Sequence, residues 1–258
     1  MGAELAEHAG LSGARASLDE LRRLPVDKLL EAQAAKLTLA PSFVVGDRAL
    51  PATIVQTFQQ GRQTPVPLLI GSNSDEASVA AAFGVDSARL LDQLGRAKVL
   101  VKTLHPGVTD DGQLGREVVR DALFTAYAKR IATLHSAKAP TWRYYFSHRP
   151  AGRRSEPGGV GHGGEVPYVH GNTRTCDCLG AAPDALDDAV ERRVGDAWAG
   201  FARTGALPWE RDDRVRGFVM EIAADDIARP RFMRPRLNAY ILAANAVQRG
   251  VASGPAAR

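Results

Sequence analysis

Long apolar runs are missing from this sequence, lysine is scarce, and only two of its 258 residues are cysteine. No stretch approaches the ~18 consecutive apolar residues of a membrane-spanning helix, so no membrane partner is expected. The opening segment, MGAELAEHAGLSGARASLDELRRL, has acids where a signal peptide would have its apolar core, so none is read and the compartment is left open. The cysteines, Cys176 and Cys178, lie in TRTCDCLG. One C-x-C cannot supply the four ligands of a structural zinc. Alternate residues rarely bridge each other, so two loop thiols are expected. Arginine outnumbers lysine 27 to 6, and the net charge is +4. The arginines are dispersed among 29 acids, with only short clusters such as Arg229–Arg236. RNA-binding aromatic signatures, zinc spacings and recognition-helix patterns are all absent, so nucleic acid is not expected as a partner. The arginine and alanine excess instead suits the base composition of a GC-rich genome.

What remains is the composition of a soluble globular protein, 45% hydrophobic and 24% charged, long enough for one large domain or two small ones. Residues 3–38 read as two helices, and Ser17 with Glu20 has capping-box spacing. PSFVVGDRALP reads as loop or hairpin, with its turn at Gly46-Asp47. VPLLIG is a short continuous apolar run, as in a strand buried on both faces, and polar SNSDE and an alanine-rich helix follow it. Residues 84–138 read as mostly helical. PTWRYYFSHRP reads as an aromatic strand, whose rings are assigned to the core rather than to a pocket wall. AGRRSEPGGVGHGGEVPYVHGNTRTCDC is a long Gly-rich loop. PDALDDAVERRVGDAWAGFARTG is an amphipathic helix ending at Gly205, GFVMEIA a strand, PRLNAYILAANAVQ a closing helix and ASGPAAR a frayed tail. The alternation defines an α/β class with a mostly parallel sheet flanked by helices. The strands are few for a complete sheet of that kind.

Two side chains stand out as candidate chemistry. Glu76 follows the buried strand, where α/β proteins collect their sites. Asn73-x-x-Glu76 is also a capping-box spacing, so a helix-cap role is equally open, and Asp75 competes for any acid role. His162 sits among glycines in GGVGHGGEVPYVHG, where it is either simply solvated or freed to reach another part of the chain. A carboxylate after one strand and a histidine on a loop after a later one is the chain order of acid and base in α/β-hydrolases. Glu165 is only three residues from His162 and is read as a loop-ordering residue that binds backbone donors. The remaining histidines, His8, His105, His135, His148 and His170, offer nothing sharper.

VPLLIGSNSDEAS resembles the acid segment of type B carboxylesterases, the family of cholinesterases and para-nitrobenzyl esterases, with Ala77 where that family has glycine. GHGGEVPYVHG resembles its histidine segment, with His170 in place of the common phenylalanine. WAGFARTGALPW is similar to its Trp-x-x-Phe-Ala-x-x-Gly segment at Trp198, Phe201, Ala202 and Gly205. LRRLPVDKLLEAQ is similar to the helical stretch that follows its nucleophile domain. The resemblance implies the C-terminal part of an α/β-hydrolase fold over residues 1–258. It makes Glu76 the triad acid and His162 the base, and it implies an ester substrate with no cofactor or metal.

No Gly-x-Ser-x-Gly elbow is present, and the His162-Gly163-Gly164 run belongs to the histidine segment, so no separate oxyanion segment is read. Ser12 lacks the spacing, and Ser72 and Ser74 lie too near Glu76. The expectation is a carboxylic-ester hydrolase whose acid and histidine are here and whose nucleophile is not. The chain alone would be inactive, with an open strand edge. It would be marginally stable or associated with a missing N-terminal half or a second copy. The alternatives are a catalytically inactive fragment or truncated gene product, and a non-enzymatic binding module, as in carboxylesterase-like adhesion proteins.

Overall fold

The computed structural model describes residues 2–34, 45–82, 84 and 86–253. The chain divides into two compact units, Met1–Pro51 and Ala52–Arg258.

Among its described residues the first unit contains three short α-helices: α1 (Gly2–His8), α2 (Leu18–Arg23) and α3 (Val26–Ala34). Two were expected. The chain turns at Gly10 and Gly13, both at positive φ, which separates α1 from α2. Pro25 then separates α2 from α3. The Ser17–Glu20 capping box forms in both directions. Gly46 and Asp47 make the expected turn, with Asp47 Oδ1 accepting from the Leu50 amide at 2.7 Å. Residues 41–44 of that loop lie outside the described residues.

The second unit holds α4 (Ile54–Gln59), β1 (Leu68–Asn73), α5 (Ser78–Ala82), α6 (Ser87–Gln93), α7 (Ala97–Leu104) and α8 (Asp111–Val119). A π-helical turn (Arg120–Thr125) leads into α9 (Ala126–His135). Then come β2 (Thr141–Phe146), α10 (Val166–His170), α11 (Ala185–Thr204), β3 (Val219–Ile222), β4 (Ile227–Arg229) and α12 (Arg234–Ser253). The sheet order is β1-β2-β3-β4. The first two pairings are parallel, and β4 returns antiparallel at the far edge. Among the described residues β1 has one strand neighbour, and its first four residues are only half-buried. The reading of VPLLIG as buried on both faces is corrected accordingly, whereas its open edge is as expected.

The period-2 pattern of β2 builds the core. Trp142, Tyr144 and Phe146 point to one face and meet one stripe of α11. Trp142 lies edge-on to Phe201 at 5.7 Å between centroids, and Tyr144 edge-on to Trp198 at 5.0 Å. Phe146 packs with Val190, Val194, Tyr168 and Ile222. The spacing of Val190, Val194, Trp198 and Phe201 is the three-and-four alternation of a helix face. These rings are core, as the sequence implied. The opposite face carries Tyr145 against Phe232 and the buried ion pair Arg143–Asp212, 2.5 Å between Nε and Oδ2.

Three local expectations need correction. The Gly-rich loop contains a helical turn, α10, that begins at Val166-Pro167 and ends at left-handed Gly171. Strand β4 has no counterpart in the sequence reading, because IAR is short and exposed and carries no alternation. Cys176 and Cys178 are not separate thiols but a disulfide. The tight turns on either side, Thr173–Thr175 and Asp177–Leu179, fold the segment so that their Cα atoms lie 5.1 Å apart, within the range a bridge needs. The tail residues 254–258 lie outside the described residues.

Candidate active site

The loops after β1 and β2 meet at the carboxyl end of the sheet. Asp75 and Gly161 form an isolated parallel bridge, with the Asp75 amide donating to Val160 O at 2.8 Å. The Val160 amide returns a bond to Ser74 Oγ at 2.8 Å. The His162 amide donates to Ser78 Oγ at 2.8 Å. Asn73 Nδ2 reaches Gly161 O at 2.8 Å and Glu165 Oε2 at 2.5 Å. Glu165 therefore orders the loop, as expected, but through a side-chain amide rather than backbone donors.

This stitching brings Glu76 and His162 together. Glu76 Oε2 lies 2.6 Å from His162 Nδ1. An ionised carboxylate can only accept, so the Nδ1 nitrogen carries the proton and Nε2 is left with its lone pair. The other carboxylate oxygen, Oε1, accepts from the Asn73 amide at 2.7 Å. Glu76 thus caps the backbone with one oxygen and meets the histidine with the other. The carboxylate is buried, at 7% side-chain exposure, while the imidazole is half in solvent at 52%. Nε2 makes no hydrogen bond to any described residue. Phe124 lies beside the imidazole, its ring centroid 5.5 Å away.

The glycines around His162 serve the close approach. A Cβ on Gly159 would sit 2.7 Å from Ser74 Oγ and 2.9 Å from its carbonyl carbon. Gly163 holds φ +76° with open space around it. We expect Gly159→Ala to lower stability by about 1–3 kcal/mol, because the loop must withdraw from the β1 end. Thermal melting measures this, and an unchanged melting temperature would show that the contact is not tight.

Asp75, the competing acid, pairs with Arg116 rather than with the histidine. Its carboxyl is pushed up by burial, against the pull of that guanidinium. A second histidine–carboxylate pair, His148 Nε2 to Asp187 Oδ1 at 2.7 Å, is sealed in the core at 2% and 0% exposure, out of reach of a substrate. Sequence reasoning missed Ser78, Phe124 and the bonds of the Asn73 side chain, although it paired Asn73 with Glu76 as a cap. Ser78 and Asn73 flank Glu76 within SNSDEAS and could have been found as loop-to-loop donors and acceptors. Phe124 had no signal, since a π-helical turn places it, and such turns recur at functional sites.

His105, Glu117 and Asp121 come close enough together to hold a cation. Their atoms already have protein partners. His105 Nδ1 meets Glu117 at 3.0 Å and Nε2 meets Tyr240 at 2.9 Å, while Arg236 Nε approaches Asp121 at 2.7 Å. The cluster is filled by its own cations. The His105 hydrogen bond, with Arg120 and Arg236 nearby, holds Glu117 down to about 2 despite its burial. Its folded pKa is below its unfolded value. Its stabilisation is therefore present above about 4.5 and lost as pH falls toward 2. Melting temperature against pH should decline across that window, and Glu117→Gln should flatten the decline. A parallel shift of the whole curve would rule this source out.

Parallel strands with helices on both faces are the architecture of an α/β-hydrolase fold. The carboxylesterase from Geobacillus stearothermophilus superposes with TM-score 0.75 at 19% identity, over 92% of this chain and 53% of that one. A model of the carboxylesterase family matches residues 111–216, which include His162 but not Glu76. Para-nitrobenzyl esterase of Bacillus subtilis (strain 168) is 27% identical over 207 residues, 73% of this chain and 41% of its own length. Acylcarnitine hydrolase of Rattus norvegicus is 28% identical over 169 residues, 55% of this chain and 29% of its own. The chain thus spans less than half the length of these curated relatives. Over these stretches the chain is similar to carboxylesterases in sequence and in fold. No helix among the described residues is long and apolar enough to cross a membrane.

Proposed function

We propose that this chain supplies the acid and the base of a serine carboxylic-ester hydrolase. His162 takes the proton of a serine through Nε2 and returns it to the leaving alcohol, while Glu76 fixes the tautomer and stabilises the imidazolium. The observation that carries this reading is the 2.6 Å bond from a buried carboxylate to a half-exposed imidazole whose Nε2 is free of described partners. Residues 1–258 are read together as part of one hydrolase domain, supported by a structural likeness over 92% of the chain. The nucleophile and the oxyanion donors are assigned to a segment outside this sequence, since it has no Gly-x-Ser-x-Gly elbow and its His-Gly-Gly run is the His162 segment itself. Substrates are small esters, and the reaction asks for no cofactor.

The test mixes the chain with the nucleophile-bearing half of a family esterase and follows p-nitrophenyl acetate hydrolysis. Activity above that of either part alone supports the reading. Complemented activity that survives His162→Ala overturns it. The missing elbow also favours a binding module without activity, and the same mixture decides between them: assembly without turnover selects that second reading.

A further inference from the structure

On the sheet face opposite α11, a cavity of about 390 Å³ lies between α9, α12 and the loop that precedes β3. Four cations line it: Lys129, Arg130, Arg214 and Arg234. None of the four is ion-paired among the described residues; each is held by a neutral oxygen instead. Lys129 Nζ donates to Asn238 Oδ1 at 2.5 Å. Arg130 donates to the side-chain oxygens of Asn245 and Gln248. Arg214 Nε donates to Thr133 O at 3.3 Å, and Arg234 to Val215 O. Lys129 and Arg130 are each 7% exposed. Burying a charge without a counter-charge is costly.

The one carboxylate on the lining, Asp213, is committed elsewhere. Its Oδ1 caps the Val215 and Arg216 amides, and Oδ2 faces Arg216 at 3.7 Å. The wall at Gly217 is bare. A Cβ there would meet Arg234 Nη2 at 3.4 Å, and the residue holds φ +64°, so a side chain is disfavoured where the guanidinium opens to the cavity. The two edges are tied together, with the Arg231 amide donating to Arg216 O at 3.0 Å just before α12 begins. Arg231 and Met233 are the two non-glycine residues at positive φ among the described residues, and both lie in this tie. Such strain gathers where a fold holds a site in shape.

We propose that this cavity is a binding site for a small multivalent oxyanion, a phosphate-bearing metabolite or a polycarboxylate, distinct from the Glu76–His162 pair. The buried ammonium supplies a point charge and the guanidinium groups supply flat, forked donors, a set suited to an anion with several oxygens. Burial, with Arg143 and Arg234 crowding the same ammonium and Asp212 offsetting them only in part, holds Lys129 down to about 8, and a bound anion would relieve that cost.

The test is calorimetric titration of the full chain in a zwitterionic buffer, with pyrophosphate in one arm and citrate in the other. Saturable binding of one equivalent is expected, and the tighter arm identifies the source. Arg214→Glu, an exposed change, should weaken binding at least tenfold, and Lys129→Met should do the same. Arg203→Glu at the end of α11 should leave it within twofold. Circular dichroism establishes that each variant is folded, and Arg214→Ala replaces any that is not. Absence of saturable binding, or equal weakening by Arg203→Glu, overturns the site. Esterase activity enters none of these readouts, so the outcome is independent of the proposed reaction.

Discussion

His162→Ala is expected to lower kcat of the complemented esterase by about 10⁴-fold or more, with little change in KM. The loss comes down to one atom. In the proposed mechanism Nε2 is the basic nitrogen because Glu76 holds the proton on Nδ1, and alanine removes the imidazole assigned to take the serine proton. Glu76→Gln tests the other half. An amide can accept through its oxygen, but it carries no charge to stabilise the imidazolium and can equally present its NH₂ to the ring. Glu76→Gln should cost about 10³–10⁴-fold in kcat while the protein stays folded. The two changes act on one unit, so the double variant should be little worse than His162→Ala. If the single losses instead multiply, the residues act separately and the assignment of roles is wrong.

Asp187→Ala is the change with the largest expected effect on stability, about 3–5 kcal/mol. Its carboxylate is fully buried at the start of α11. Oδ1 takes bonds from His148 Nε2 at 2.7 Å, Arg154 Nη2 at 2.9 Å and Tyr168 Oη at 3.2 Å. Oδ2 takes the Ala151 amide at 3.0 Å and the Asp184 amide at 3.1 Å. Burial pushes the carboxyl up, but these donors outweigh it and hold the group below the ordinary carboxylate range. Burial also drives His148 down, so the pair is an anion with a neutral ring. Alanine strands five donors at once. Asp187→Asn should recover part of the loss, since the amide keeps one acceptor oxygen. Urea unfolding with a shared m-value measures both, and a loss below about 1 kcal/mol for alanine would mean that water replaces the carboxylate.

The parts of the fold that could be read from sequence are those where local pattern and tertiary role agree. TWRYYF and the face of α11 carry their periodicity openly, Gly205 marks the end of that helix, and VPLLIG was legible as a strand though not in its burial. Glu76 and His162 were legible as candidates because each sits at a loop after a strand, in the chain order of acid and base in α/β-hydrolases. Where the reading failed, the cause was distance. The ends of β4 and the turn α10 are settled by contacts with elements far along the chain. The bridge between Cys176 and Cys178 depends on two tight turns whose own sequence signal is weak. Phe124 reaches His162 through one extra residue in a helical turn, which no residue type announces. The unpaired cations around Lys129 are visible only when α9 and α12 are side by side.

Because Glu76 divides its oxygens between His162 and the Asn73 amide, the end of β1 is a natural spectroscopic reporter. A backbone N–H held 2.7 Å from a charged oxygen resonates far downfield and exchanges slowly with solvent. Protonating the carboxylate, or pulling the ring away, would loosen that same proton. One amide peak therefore tracks the state of the histidine from the far side of its partner, and it can be watched in the isolated chain before any ester is added.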